Sequence, residues 1–436
     1  MSRIFSLFSL SRPFFIVILF AIIANGVQVL SFMLLRKLDS PQFAMLNYGM
    51  YVITLLGIIT SAFERWLMIQ QSRRSWDERI KLARSLFTSV GILFLILIIV
   101  VGLLLCLWAP ETSRIVVICT ISMALVFLSL FPKSLVVSQE NYVLLGLLGL
   151  VEPFFRFVSI AAFVSNVAIL PVFIGHLLSS FVVLQVSLFL LRQIPAQPSR
   201  KNISDISLSA RVVLLQVLLQ AGISIFWVAD GVILKHLLSV EAYSAYVAHA
   251  YIMKFPLFLT TSILSVLMVK VVTDQAGYRD FRKMTAIGIA GSILAFGSVA
   301  IIELLFPGKI ITVLGYGALA VPGLLVLIAV AWTLHSIISL LLTMLIKVAW
   351  HVSVQTVIIL YTVSFIGLLF VGSYDIAELL KMLTIQAIIF LVCIVTISSL
   401  LPAPYFEMPE KLASPVSGTK GKRRKSRLAR RSPSNL

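Results

Sequence analysis

Charge is scarce in this sequence. Only 12% of its 436 residues are Asp, Glu, Lys or Arg, about half the share found in soluble domains, and 60% are hydrophobic. A water-soluble globular protein is excluded. Cysteine is almost missing as well: Cys106, Cys119 and Cys393 lie scattered in apolar runs. They show neither metal-ligand spacing nor a disulfide framework, so they read as small buried hydrophobes. No phosphate-binding GxxxxGK[ST], HExxH or GxSxG occurs, which leaves ATP-driven transport within this chain and hydrolase chemistry without a signature. No catalytic residue, metal or cofactor is assigned.

What is present comes in apolar blocks of helix length. A bilayer admits only helices and closed barrels, because each backbone polar group needs a partner away from water. Blocks of about 20 residues fit helices, not ten-residue barrel strands. The expected fold is therefore all-α and polytopic, with about twelve transmembrane helices. In the first half they are expected at 13–35, 44–64, 86–108, 115–137, 143–165 and 168–191. In the second they are expected at 212–234, 242–269, 284–306, 318–345, 352–371 and 377–401. This gives two six-helix bundles, residues 1–192 and 212–402, joined by a cytoplasmic linker at 193–211 and followed by a tail at 403–436. The amino-terminal apolar stretch has a basic flank but no small-residue cleavage pattern, and reads as a retained first helix.

Orientation follows from where Lys and Arg collect, because cytoplasmic loops retain positive charge. One set of connections, with both termini, holds 27 of them; the opposite set holds five, Arg36, Lys37, Arg114, Lys235 and Lys309. Both termini are therefore expected in the cytoplasm. The tail is rich in Pro, Ser, Lys and Arg and too polar to fold alone. Its basic run, Lys420 to Arg431, suits the anionic cytoplasmic leaflet; no nucleic-acid module accompanies it, so nucleic acid is not a partner.

The halves repeat. With a shift of 200 residues, Leu34 to Leu46 and Leu234 to Tyr246 share a leucine after a basic pair (Leu38, Leu238), an aromatic five positions on (Phe43, Tyr243) and then a small residue (Ala44, Ser244). Trp108-Ala109-Pro110 and Leu305-Phe306-Pro307 close the third helix of each half. Six helices per repeat relate the halves by an axis along the membrane normal.

The run from Ala229 to Glu241, followed by Tyr243 and Tyr246, resembles the seventh-to-eighth helix segment of bacterial polysaccharide flippases of the O-antigen type. These belong to the multidrug, oligosaccharidyl-lipid and polysaccharide exporter superfamily. Arg36 to Leu46 resembles the segment after that family's first helix, and Phe63-Glu64-Arg65 the end of its second. Ser244 stands where the family usually has glycine, and Val266 to Val271 lacks the proline often found there. The resemblance implies a V-shaped transporter that moves polyprenyl-diphosphate-linked sugar units outward across a bacterial inner membrane. It also implies work beside a polysaccharide polymerase or glycosyltransferases. A drug or cation exporter of the superfamily, or a membrane polysaccharide polymerase or ligase, are the alternatives. The first would favour cavity acids, and the second needs a large external loop where the connections here are short.

A diphosphate needs cations. Arg156 lies about 21 Å into the fifth helix, and Lys254 about 18 Å into the eighth, one embedded cation per half. Arg156 can instead pair with Glu152 at i−4, whereas Lys254 has no acidic residue at i±3 or i±4. Pro256 removes a helical hydrogen bond beside Lys254 and is expected to act as a hinge. Asn25 and Gln28, and Gln216 and Gln220, are polar notches suited to sugar hydroxyls or to cross-helix bonds. Asp230 and Glu303 are expected near the external surface and Glu64 near the cytoplasmic one, where solvation is cheap. His176 and His335 are expected as packing residues.

Cysteines introduced at Gly317 and Ser426 check the topology. Impermeant thiol reagent applied outside intact cells should label the first and spare the second; equal labelling contradicts the orientation.

Overall fold

With no water to satisfy a peptide group, each apolar block must close its own hydrogen bonds, and helix is what these blocks form. The computed structural model describes residues 11–72, 91–137, 142–163, 169–193, 217–253 apart from 220, 278–345, 352–371 and 375–400, with isolated positions between them. Among the described residues there is no strand. The first half comprises α1 (Ser11–Leu34), α2 (Ser40–Ser72), α3 (Ile92–Trp108), α4 (Ser113–Val137), α5 (Tyr142–Phe163) and α6 (Leu170–Gln193). The second comprises α7 (Ala229–Leu237), α8 (240–253), α9 (Tyr278–Leu305), the short α10 (Lys309–Val313), α11 (Leu324–Leu345), α12 (Val352–Val371) and α13 (Ile376–Leu400). Among the described residues seven helices are long and apolar enough to cross a membrane, eight if α7 and the piece before it count together. Ile22–Leu34 and Ile92–Trp108 are shorter apolar stretches.

In the first half α1 packs on α5, α6 on α4 and α5, and α4 on α2 and α3. In the second α11 packs on α9 and α13, and α12 on α13 and α7. Leucines such as Leu104 and Leu107 of α3, 58% and 78% exposed, face outward where lipid is the solvent. Cys393 is also exposed, a correction to its expected burial; Cys119 is buried and Cys106 half-buried.

The repeated turns have the same local geometry. Leu38 and Leu238 are both extended, at φ −81°, ψ 144° and φ −102°, ψ 156°. Asp39 Oδ1 accepts from the Gln42 amide at 2.9 Å, and Ser239 Oγ from the Ala242 amide at 3.2 Å. These side chains satisfy amides at the starts of α2 and α8 that the helix itself leaves bare. As expected, α3 ends at Trp108 and α9 at Leu305.

Several boundaries differ from expectation: α9 begins at Tyr278 and not at 284, and α11 at Leu324 and not at 318. α2 continues to Ser72, well past residue 64. The expected seventh helix at 212–234 is broken: Val217–Trp227 and Ala229–Leu237 meet at 53°, through the tight turn Ile225–Trp227. No proline or glycine lies at that turn. Neighbouring aromatics are drawn to different seats instead. Phe226 stacks on His335 at 5.0 Å and meets Phe365 edge-on at 6.2 Å. Trp227 meets Trp332 edge-on at 5.6 Å and stacks on Phe296 at 6.5 Å.

The two repeated turns meet. Ser244 Oγ donates to the Ser40 carbonyl at 3.0 Å, and Gly231 of α7 lies so close under the Tyr51 ring of α2 that a Cβ would collide with it. Inserting carbon there costs about 1–3 kcal/mol. Gly231→Val should therefore prise this end apart, and crosslinking of a Ser40→Cys/Ser244→Cys pair should fall several-fold. An unchanged yield would show that the contact does not depend on Gly231.

Candidate functional site

α5 has one face for lipid and one for protein. Val143, Leu147, Phe154 and Val158 form its exposed stripe. At about 100° per residue, Glu152 and Arg156 lie on the opposite side. Glu152 is nevertheless 43% exposed and Arg156 15%. Arg156 Nη2 donates to Glu152 Oε1 in an i, i+4 pair, the partnership the sequence allows. Pro153, inside the helix, leaves the Gly149 carbonyl without its usual donor.

Two close approaches bring further groups to this face. A Cβ on Gly146 of α5 would strike Phe20 of α1, which sets the register of two parallel helices. Eight residues further along each, Gln28 comes level with Phe154. Gln28 is half-buried and opposite the exposed stripe Ile22, Ile23, Gly26 and Leu30 of α1. Gly175 of α6 lies against Ser159 of α5, again with no room for a Cβ. Beside it, His176 puts Nδ1 3.5 Å from the same Glu152 Oε1.

His176 is 1% exposed, and neither ring nitrogen has a hydrogen bond. It is thus not the satisfied packing histidine expected. His335 comes closer to it: its Nδ1 lies 2.6 Å from Tyr361 Oη and its ring stacks on Phe226, while its Nε2 has no hydrogen bond. His249, unremarked in the sequence, has its tautomer set: Nδ1 donates to the Ala245 carbonyl at 2.7 Å and Nε2 accepts from the Val321 amide at 3.3 Å.

Lys254, Gln216 and Gln220 lie outside the described residues. Asn25 belongs to α1, but its side chain is likewise outside the description. Pro256 is helical and buried. Of the expected site residues, the structure brings Arg156 and Glu152 together.

The acids expected near the external surface are buried: Asp230 is 2% and Glu303 1% exposed. Solvation is replaced by hydrogen bonds. Asp230 Oδ1 accepts from the Gly231 amide at 2.7 Å and Oδ2 from Tyr246 Oη, while Tyr243 Oη donates to the Gly231 carbonyl at 2.8 Å. Glu303 Oε1 accepts from the Gly308 amide at 2.8 Å and so fixes the turn after α9. Glu64 pairs with Lys133 at 2.9 Å, tying α2 to α4 at the opposite end from the repeated turns.

An aromatic seal completes the contact between the halves. Phe32 of α1 stacks on Tyr251 of α8 at 4.0 Å and on Tyr316 at 4.5 Å, and Tyr316 Oη donates to the Phe32 carbonyl at 2.6 Å. Trp108 and His236 meet at 4.3 Å. Phe43, Tyr243 and Tyr246 were visible in the repeat. The remainder of the seal had no sequence signal, because it joins positions far apart in the chain, 284 residues for Phe32 and Tyr316.

No family model matches the sequence, and no curated protein matches it. Solved structures do. A lipid II flippase, MurJ, in an inward closed conformation is 14% identical, with 89% of each chain covered and a TM-score of 0.61. A transporter of the MOP superfamily from Pyrococcus furiosus is 14% identical over 89% of this chain and 95% of that one, at 0.57. An outward-facing multidrug resistance MATE transporter of the same superfamily is 15% identical over 89% and 96%, also at 0.57. The chain has the fold shared by these MOP-superfamily transporters.

Losing one donor to a buried carboxylate costs about 1–3 kcal/mol. Tyr246→Phe should lower the thermal unfolding midpoint of the purified protein by several degrees. The same change in an Asp230→Asn background should cost less than half as much; equal losses in both backgrounds would mean that the two residues do not act together.

Proposed function

We propose that this protein is a flippase for polyprenyl-diphosphate-linked oligosaccharide units in surface polysaccharide biosynthesis, and a multi-pass protein of the bacterial inner membrane. The observation that carries the reading is the partly exposed Glu152–Arg156 pair on the face of α5 opposite its exposed apolar stripe. A guanidinium matches phosphate oxygens two at a time, and in a bilayer interior a charge is retained only where function or a partner requires it. Lys254, in the expected eighth helix, supplies the second cation of a diphosphate clamp. Gln28, with Asn25, Gln216 and Gln220, offers amides to sugar hydroxyls, and Pro256 is the hinge beside Lys254. The two bundles, 1–192 and 212–402, rock about the repeated turns, and the basic tail rests on anionic lipid. A polymerase or glycosyltransferases supply its protein partners. The flippase among the structural neighbours acts on a lipid-linked substrate by its name, which favours the same chemical class here.

The buried Asp230 favours a second reading, a drug or cation exporter, since a carboxylate is what a cationic drug would seek. The two readings predict opposite losses. Under the flippase reading, Arg156→Ala and Lys254→Ala each abolish surface glycan while membrane levels of the protein hold. Full glycan export by both variants, with drug resistance lost in Asp230→Asn, would transfer the assignment to the exporter.

A further inference from the structure

Among the described residues, His176 is a buried histidine with neither ring nitrogen hydrogen-bonded. It is held on α6, 1% exposed, with both nitrogens unpartnered, and leaving such groups unpaired away from water costs free energy. Its nearest ionisable neighbour is the Glu152 oxygen already bound by Arg156: Nδ1 and the guanidinium converge on one Oε1. Arg156 itself is incompletely used, its Nε buried without a partner. The charged groups on the described elements packed against α6 are few. They are Glu152 and Arg156 on α5, and Arg114 and Lys133 toward the ends of α4, the latter held by Glu64 at 2.9 Å.

The charges of the cluster sum simply. With a neutral imidazole, Glu152 and Arg156 cancel, and the site has no net attraction for an anion. One proton on His176 makes the cluster net positive and gives Glu152 a second cation. The imidazole is short and seated beside Gly175, while the guanidinium is carried on a longer, partly exposed side chain, so Arg156 is the one that can leave. We propose that His176 is a proton-controlled positioning residue: once protonated it takes over Glu152 and frees Arg156 to bind a phosphate-type dianion. By linkage the dianion must then favour proton uptake in return. The proposal rests on the reading of Arg156 as an anion ligand and adds the control of that ligand.

Sulfate is a suitable probe, because its charge stays constant across the pH range in which imidazole titrates. Its binding to the full-length purified protein should tighten at least tenfold between about pH 8 and about pH 4, a range that starts above the free imidazole value of about 6.5 and reaches well below it, as a buried imidazole requires. His176→Gln should bind weakly at every pH. Glu152→Gln, which frees the guanidinium permanently, should bind at every pH as tightly as the unaltered protein does in acid. Acid tightening that survives in His176→Gln would overturn the proposal, as would pH-independent binding by the unaltered protein, a result that needs no variant to fold. If Arg156→Ala binds sulfate normally, the anion-ligand reading itself fails. If Arg156→Ala abolishes binding that is pH-independent in the unaltered protein, only the proton control fails. Polyprenyl diphosphate in vesicles should displace the sulfate where plain polyprenol does not; displacement by inorganic pyrophosphate alone would keep the switch and remove the lipid substrate.

Discussion

The structure depends on a contact between two copies of one turn. Asp39 and Ser239 start α2 and α8 in the same way, and the two turns then press together through Ser40 and Ser244, with Tyr51 laid over Gly231. Packed interfaces of this kind have discrete arrangements and do not deform continuously. The aromatic seal of Phe32, Tyr251 and Tyr316 continues this contact between the halves.

Electrostatics inside the two halves follows one rule with different outcomes. Glu64 and Lys133, near a membrane surface, simply neutralise each other. Asp230 is held by hydroxyl and amide donors, which satisfies its oxygens while binding them into the interface. Glu152 alone is shared between two nitrogen groups on two helices, and sharing is what makes an arrangement reversible.

Much of this was legible in the sequence, for identifiable reasons. Helix positions follow from block length and the twofold repeat from a constant shift of 200, because both are local properties of the chain. The Glu152–Arg156 pair follows from spacing on one helix. The approach of His176 does not, since it needs the α5–α6 register that Gly175 and Ser159 set. Asp230 was misplaced at the surface because hydropathy gives depth along a helix and not what lies beside it. The break before Ala229 was invisible because no proline or glycine marks it; it results from the seats taken by Phe226 and Trp227, far away in sequence.

That break bears on how the protein is made. A piece of nine residues, Ala229–Leu237, is less than half of the about 20 needed to span a bilayer, and it carries a carboxylate. It gains little from lipid as a solvent. Its seat is the Tyr51 face of α2, a helix synthesised nearly two hundred residues earlier. The first half is thus a template, in place before the ribosome delivers the segment that it receives, and the order of synthesis becomes an order of assembly.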